Sequence, residues 1–294
     1  MEKYVAIDVG GTSIKYGLIE GNGVILERGS ISTRGNDINE LIADIKEVVC
    51  KYKEKYEIKG LACSFPGAVD PKSGFIGGGS AVACIHGPNI KKLLEEATGL
   101  VTAIENDANC SALAECWIGS GKDVDSFASV VFGTGIGGAI VINKRIFRGR
   151  NSHAGEFGYM LTTDSNENLG PFWSWIASTG SIVRRIAEVK NIPVDELNGN
   201  IVFEMQKNDE QVKREVKEWY KRIAKGIYNI QYILDPDKIL IGGGISARDE
   251  FIEGINEELK LMKDEIATLD ITVEKCKFGN DSNLIGALYN LIFC

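Results

Sequence analysis

The stretch Ile104-Glu105-Asn106-Asp107-Ala108-Asn109-Cys110 ends an apolar run begun at Val101 and opens a helical pattern, Ala112 to Trp117. Within it Asp107 is a candidate general base, and Asn106 and Asn109 offer neutral hydrogen bonds suited to a polyol. An acid cluster at a strand's carboxyl end, opening a helix, is where α/β proteins place ligand chemistry. The same residues also read as an Asn/Asp helix cap with solvated neighbours. Glycine-rich stretches elsewhere in the chain bear on the choice.

The first is Gly10-Gly11-Thr12-Ser13, between the β-type runs Tyr4–Val9 and Ile14–Ile19. This reads as a hairpin whose amides and hydroxyls can nest a phosphate, with Asp8 placed for a hydrated Mg²⁺ and Lys15 for a charge. A plain hairpin turn is the simpler reading. The second is Gly133-Thr134-Gly135-Ile136-Gly137-Gly138, after Ser129–Phe132. It contains G-x-G-x-x-G, but the β-branched run Ala139–Ile142 follows where a dinucleotide-binding turn needs a helix, so that assignment is rejected. The third, Gly242-Gly243-Gly244, ends the apolar run Lys238–Ile241 and permits a flat ligand to lie against the backbone. The first two stretches lie about 120 residues apart, which suggests a duplicated architecture with its turns facing across a cleft.

Further elements must position these turns. Leu41, Ile42, Ile45, Val48 and Val49 have helical spacing over 38–56, and Ile58–Phe65 reads as a buried strand emptying into Pro66-Gly67-Ala68-Val69-Asp70. Pro88 introduces a helix ended by Gly99, and Ile192–Asn200 reads as a connection. The spacing predicts a long helix over 211–234 stopped by Asp235-Pro236, an amphipathic helix over 251–262 and a strand over 271–278. A closing helix over 282–292 carries the small pair Gly286-Ala287. Residues 162–170 read as a loop, and Phe172-Trp173-Ser174-Trp175 as the start of a helix that Ile182, Val183 and Ile186 continue, its aromatics serving as core or pocket wall. Glu156, between small residues in His153-Ala154-Gly155-Glu156-Phe157-Gly158-Tyr159, is either a bidentate acceptor for sugar hydroxyls or a surface turn acid.

The chain has 294 residues, is 44% hydrophobic and 25% charged, and carries a net charge of −8. That length allows two domains, and that charge argues against nucleic acid or an anionic membrane as the main partner. No window suits a membrane span or a leader, and seven scattered cysteines without C-x-x-C read as reduced thiols, which points to the cytoplasm. There is no G-x-x-x-x-G-K-[ST] and no G-x-S-x-G; neither His86 nor His153 lies in a zinc pattern, and each reads as a hydrogen-bonded loop or core residue. What remains is phosphate-holding turns, an acid for Mg²⁺ and a base, the parts that phosphoryl transfer needs.

The sequence resembles the ROK family of sugar kinases, within the actin/hexokinase/Hsp70 superfamily, over nearly its whole length. The resemblance rests on Asp8–Lys15, Pro66–Asp70, Glu105–Asn109, Gly133–Gly138, Ala154–Gly158 and Gly242–Ile245. It implies an α/β, two-lobed ribonuclease H-like (actin-like ATPase) fold with an interlobe cleft. Residues 1–117 plus 282–294 would form the small lobe and 118–281 the large one. It also implies an ATP-dependent kinase acting on the 6-hydroxyl of a hexopyranose of the glucose, N-acetylmannosamine or β-glucoside class. A sugar-responsive regulator and a non-catalytic sugar-binding protein are the alternatives. Asp8 lies eight residues from the start, which leaves no room ahead of it for a regulator's helix-turn-helix.

By resemblance Asp107 is the base, and Gly67, Asn106, Glu156, Tyr159 and Ser174 lie with it at the sugar. Asp8, Gly10, Gly11, Thr12, Lys15, Gly133, Thr134, Gly135, Gly242, Gly243 and Gly244 serve ATP, with Asp8 near Mg²⁺ through water. A homodimer is also implied. Two departures stand out: Tyr159 replaces a histidine that serves zinc and sugar, and Asn168–Ser174 lacks the family's cysteines, with Ser174 at the place of a sugar-contacting glutamate. A structural zinc is therefore not expected; packing of Tyr159, Phe172 and Trp173 is expected in its stead. Loss of two polar contacts at the anomeric end is expected to relax discrimination there.

Overall fold

Two sheets built to one plan carry the chain in the computed structural model, which describes residues 1–162, 172–263 and 268–294. The first uses β1 (Lys3–Val9), β2 (Ser13–Glu20) and β3 (Ile25–Ser32), followed by α1 (Ile38–Lys53) and β4 (Ile58–Phe65). A small hairpin, β5 (Ala68–Val69) with β6 (Ile76–Gly77), precedes α2 (Ile90–Thr98), β7 (Thr102–Asn106) and α3 (Asp107–Ile118). The second sheet uses β8 (Phe127–Phe132), β9 (Ile136–Ile142) and β10 (Arg145–Ile146). After it come α4 (Trp173–Ala177), α5 (Thr179–Lys190), α6 (Gly199–Met205), α7 (Glu210–Leu234), β11 (Lys238–Gly242), α8 (Asp249–Leu261) and β12 (Val273–Lys275). Helix α9 (Ser282–Phe293) closes the chain.

The strand orders are β3-β2-β1-β4-β7 and β10-β9-β8-β11-β12. In each, an antiparallel hairpin supplies one half and parallel strands the other. The repeat inferred from two strand–glycine–strand stretches is thus a repeat of whole sheets. The chain divides into a unit of Met1–Gly119, Arg148–His153 and Asn280–Cys294, and a unit of Ser120–Phe147 and Ala154–Gly279. Arg148–His153, inside the range expected for the second lobe, belongs to the first unit.

Both faces of the first sheet are covered, as alternation along β1 requires. Val5, Ile7 and Val9 share a core with Leu41 and Ile45 of α1 and Leu94 of α2. Ala6 and Ala62 point the other way, into a cluster with Cys110, Leu284 and Leu288. Small residues on that face let α3 and α9 approach closely: a Cβ built on Gly286 would lie 1.7 Å from the Cys110 carbonyl oxygen. The second unit's core gathers Phe132, Trp173, Trp219 and Phe251. Here α4 seats on α7 because Gly226 leaves room for the Trp173 ring, whose Nε1 donates to the Arg222 carbonyl (2.9 Å).

Several local expectations need correction. The helix expected from Phe172 onward is broken at Ser178, whose extended backbone ends α4 and whose hydroxyl caps α5 by accepting from the Ser181 amide. The connection expected over 192–200 passes into α6, capped by Asn198. The strand expected over 271–278 is confined to Val273–Lys275. Most of the loop expected over 162–170, and the cysteine-free Asn168–Pro171, lie outside the described residues. None of the seven cysteines is in a disulfide, and no described helix is long and apolar enough to cross a membrane.

Candidate active site

Three parallel strands end side by side in the first unit, and their registers bring the sequence-predicted acids into one row. Asp8 of β1 pairs with Ser64 of β4, and Ser64 with Glu105 of β7. Asp8, nearly buried, accepts at Oδ1 from the Ser64 hydroxyl (2.8 Å) and from Nδ2 of Asn283 in α9 (3.0 Å). Neither bond uses Oδ2. A carboxylate fixed at one oxygen suits a hydrated divalent cation, so Asp8 fits the place expected for Mg²⁺. Lys15 stands opposite Asp8 across the hairpin. The bend between them closes with Gly10 N–H donating to Ser13 O (3.0 Å). Thr33, the residue after β3, steadies it: its hydroxyl donates to Gly10 O (2.6 Å) and its amide to Thr12 O (3.1 Å).

Asp107 is the first residue of α3, where the helix dipole favours a carboxylate. Its Oδ1 accepts from the Ala108 amide (2.8 Å) and from Asn106 Nδ2 (3.0 Å). Asn106 is the cap, its Oδ1 accepting from the Asn109 amide (3.0 Å). The same Asn106 amide donates to Gly67 O (2.9 Å), so the turn after β4 is tied to the turn after β7. Gly67 has φ of +100° and a Cβ there would meet Gly77, Ile76 and His86, a site that demands glycine. The cap and the functional reading of Asn106 are therefore compatible: capping fixes the asparagine that steadies Asp107. Asn109, expected to offer hydrogen bonds to a polyol, is instead buried, and its side-chain amide donates to Glu105 Oε1 inside the turn (2.9 Å). Burial first, then the Glu105, Asp8 and Asp107 carboxylates, push the Cys110 thiol well up.

In the second unit β8 and β11 are parallel neighbours, with Val131 opposite Gly242, so their glycine turns leave the same sheet end. Gly243 has φ of +91°, and a Cβ there would stand 2.1 Å from the Phe132 carbonyl oxygen. The Ser246 hydroxyl and amide both donate to Gly243 O (2.8 and 3.1 Å). The Gly133–Gly135 bend closes with Gly133 N–H to Gly135 O (2.9 Å), and helix starts brace it. Gly180 N–H donates to Gly133 O (3.0 Å), the Ser178 hydroxyl to Thr134 O (3.1 Å), and Ser174 Oγ accepts from Ile136 N–H (2.9 Å). Strand β9 follows the bend, in keeping with rejection of a dinucleotide-binding turn.

The Glu156 segment is pressed onto β9. Gly155 has φ of +90°, and Cβ atoms on Gly155 or Gly158 would strike Ala139 or the Ile136 carbonyl. Glu156 opens a short 3-10 turn, Phe157–Tyr159. Tyr159 is exposed and its ring meets Phe172 edge to face, while Phe172 meets Trp175 in the same way. Trp173, expected in this cluster, is instead fully buried against Phe132. Residues two apart on a helix point to different sides, so Trp175 takes its place against Phe172. Among the described residues no group of three or more His, Cys, Asp or Glu can hold a metal. His86 bonds Ser80 and the Ile76 carbonyl, and His153 the Asn151 carbonyl, as loop histidines do.

Sequence reasoning missed the partner of Glu105. This carboxylate is wholly buried and pairs with Arg148, to which no role was given from the sequence. It also missed Asn283 beneath Asp8. An isolated buried acid needs a partner, which is the one signal that could have prompted the search.

A sequence profile of the ROK family matches residues 4–292. A β-glucoside kinase of Listeria monocytogenes is 37% identical over 297 residues, covering 99% of this chain and 97% of the relative. A glucokinase of Halalkalibacterium halodurans is 30% identical, covering 96% and 93%. The crystal structure of a ROK family protein from Streptococcus pneumoniae in complex with sucrose is 35% identical, with a TM-score of 0.89, covering 99% of this chain and 98% of that one. The chain belongs to the ROK family and has its actin-like ATPase fold.

Proposed function

We propose that the protein is an ATP-dependent kinase that transfers a γ-phosphate to the 6-hydroxyl of a hexopyranose, with a β-glucoside as the favoured class. The observation that carries this reading is the turn at the end of β7. It presents Asp107 at a helix start with its Oδ1 held by the Ala108 amide and Asn106 Nδ2. Asp107 withdraws the proton from the attacking hydroxyl as its oxygen bonds to the γ-phosphorus and the bond from that phosphorus to the departing ADP oxygen breaks, and the fixed geometry keeps the carboxylate's approach constant.

Asn106, Gly67 and Glu156 bind sugar hydroxyls, and Tyr159 borders the anomeric end. Ser174 leaves space there, since its hydroxyl accepts from the Ile136 amide and its side chain is short. The Gly10–Thr12 and Gly133–Gly135 bends hold phosphates, with Lys15 adding charge, and Gly242–Gly244 line the adenosine site. Asp8 would hold Mg²⁺ through water, and the cation would supply charge neutralisation of the phosphates. The β-glucoside class is supported by 37% identity to a kinase of that name over nearly both chains. A homodimer and the cytoplasm complete the reading; equilibrium sedimentation checks the first.

The test is a panel of glucose, cellobiose, N-acetylmannosamine, N-acetylglucosamine, mannose and fructose with Mg-ATP, followed by ADP release. Cellobiose is expected to give the highest kcat/KM. Absence of ADP release with every sugar would refute the kinase reading, and a preference for an N-acylated sugar would refute the β-glucoside class.

A further inference from the structure

We infer that Arg148 and Glu105 are a positioning pair that sets the turn carrying Asn106 and Asp107, an inference that rests on the kinase reading for its effect on turnover. Glu105 is fully buried, and a buried carboxylate is tolerated only when its lone pairs are matched. Here the two oxygens divide the work. Oε1 faces the turn, accepting from the Asn106 amide (2.9 Å) and from Asn109 Nδ2 (2.9 Å). Oε2 faces Arg148, accepting from Nε (3.1 Å) and Nη2.

The first set of bonds closes a loop. The Asn109 amide donates to Asn106 Oδ1, and Asn106 Nδ2 donates to Asp107 Oδ1 and Gly67 O. Rotation of the Glu105 carboxylate would release both asparagines together, and with them the hydrogen bond that orients the base. Arg148 prevents that rotation by holding the far oxygen at two points, which a lysine cannot reproduce.

The location of Arg148 gives the pair a second consequence. The chain passes from the second unit to the first at Phe147/Arg148 and back at His153/Ala154, where Ala154 and Gly155 lead into Glu156. The arginine is the first unit's grip on that excursion, whose turns are set by Gly149 (φ +67°) and Ser152 (φ +57°). One ion pair thus anchors both the base-bearing turn and the strap that runs on into the candidate sugar acid.

The test uses the full-length protein with Arg148→Met and Arg148→Lys, read by steady-state kinetics and by amide hydrogen exchange over Asn106–Cys110. For Arg148→Met we expect kcat to fall at least about tenfold with the ATP KM within about twofold, and exchange at Asn109 and Cys110 to quicken. Arg148→Lys, which keeps the buried charge balanced, should recover part of both. Unchanged kcat and unchanged exchange in Arg148→Met would overturn the pair, as would a lysine variant no better than methionine. If the wild-type protein phosphorylates no sugar, exchange alone decides: quickened exchange upholds the pair while the kinase reading fails.

Discussion

Gly286→Ala sets two effects of opposite sign against each other at the contact between α3 and α9. Alanine in a helix interior is favoured over glycine by about 1 kcal/mol. Against this, the added Cβ would lie 1.7 Å from the Cys110 carbonyl oxygen, 2.4 Å from its carbon and 2.9 Å from its Cα. Ordinary contact needs roughly 3.5 Å, so the helices must part by roughly 1.5–2 Å, and the obstacle is backbone that cannot swing aside. Overpacking of this kind costs about 1–3 kcal/mol and occasionally more, so the clash wins. The melting temperature should fall by several degrees, on the order of 5 °C.

Cys110 lies in the first turn of α3, so the displacement also moves Asp107, and an ångström there is worth roughly a hundredfold in rate. Differential scanning fluorimetry and coupled kinetics on the same preparation measure both. Gly137→Ala in β9, where nothing lies within 4 Å of the new atom, is the stability control and should melt at or slightly above wild type. A Gly286→Ala protein that melts no lower than wild type and turns over normally would show that the α3–α9 contact is not as close as described.

Removing the Ser174 hydroxyl with Ser174→Ala leaves the Ile136 amide without its acceptor, a loss of about 1–3 kcal/mol, and should raise the ATP KM several-fold while the sugar KM moves less. A sugar KM that rises while the ATP KM stays unchanged would contradict this and argue that Ser174 serves the sugar alone. Hydrogen bonds from the Ser73 hydroxyl and the Lys72 amide hold the Asp70 carboxyl below the usual carboxylate range. A depressed folded pKa gives stability that is present above about pH 4 and lost as pH falls through the folded value. Asp70→Asn should therefore flatten the acid limb of melting temperature against pH between about 5 and 2. The group is largely solvated, so the change is small. An identical limb in both proteins would contradict it.

The candidate turns were legible because each is local: a strand, glycines with hydroxyls, and another strand, or a strand end with its cap. The β1–β2 and β8–β9 hairpins, β4 and the β7–α3 junction fall where periodicity places them. What the sequence hides is pairing over distance. Arg148 meets Glu105 across 43 positions and Asn283 meets Asp8 across 275, and nothing in either neighbourhood marks its partner. The split of the aromatic group is hidden for another reason. Whether Trp173 or Trp175 turns inward depends on the phase of α4, which is set by the space above Gly226 in a helix more than fifty residues on. The break at Ser178 is also non-local in cause, since its hydroxyl and carbonyl bond Thr134 and Trp219 as well as α5.

The most direct test of the account is Asp107→Asn, which keeps the size of the side chain and an oxygen able to accept from Ala108 and Asn106. Sugar affinity by calorimetry and turnover by coupled ADP release are measured on one sample. The expected result is a sugar Kd within about threefold of wild type and a turnover lower by roughly 10²–10⁴. Turnover close to wild type would contradict the account, because no carboxylate would then be needed at the start of α3.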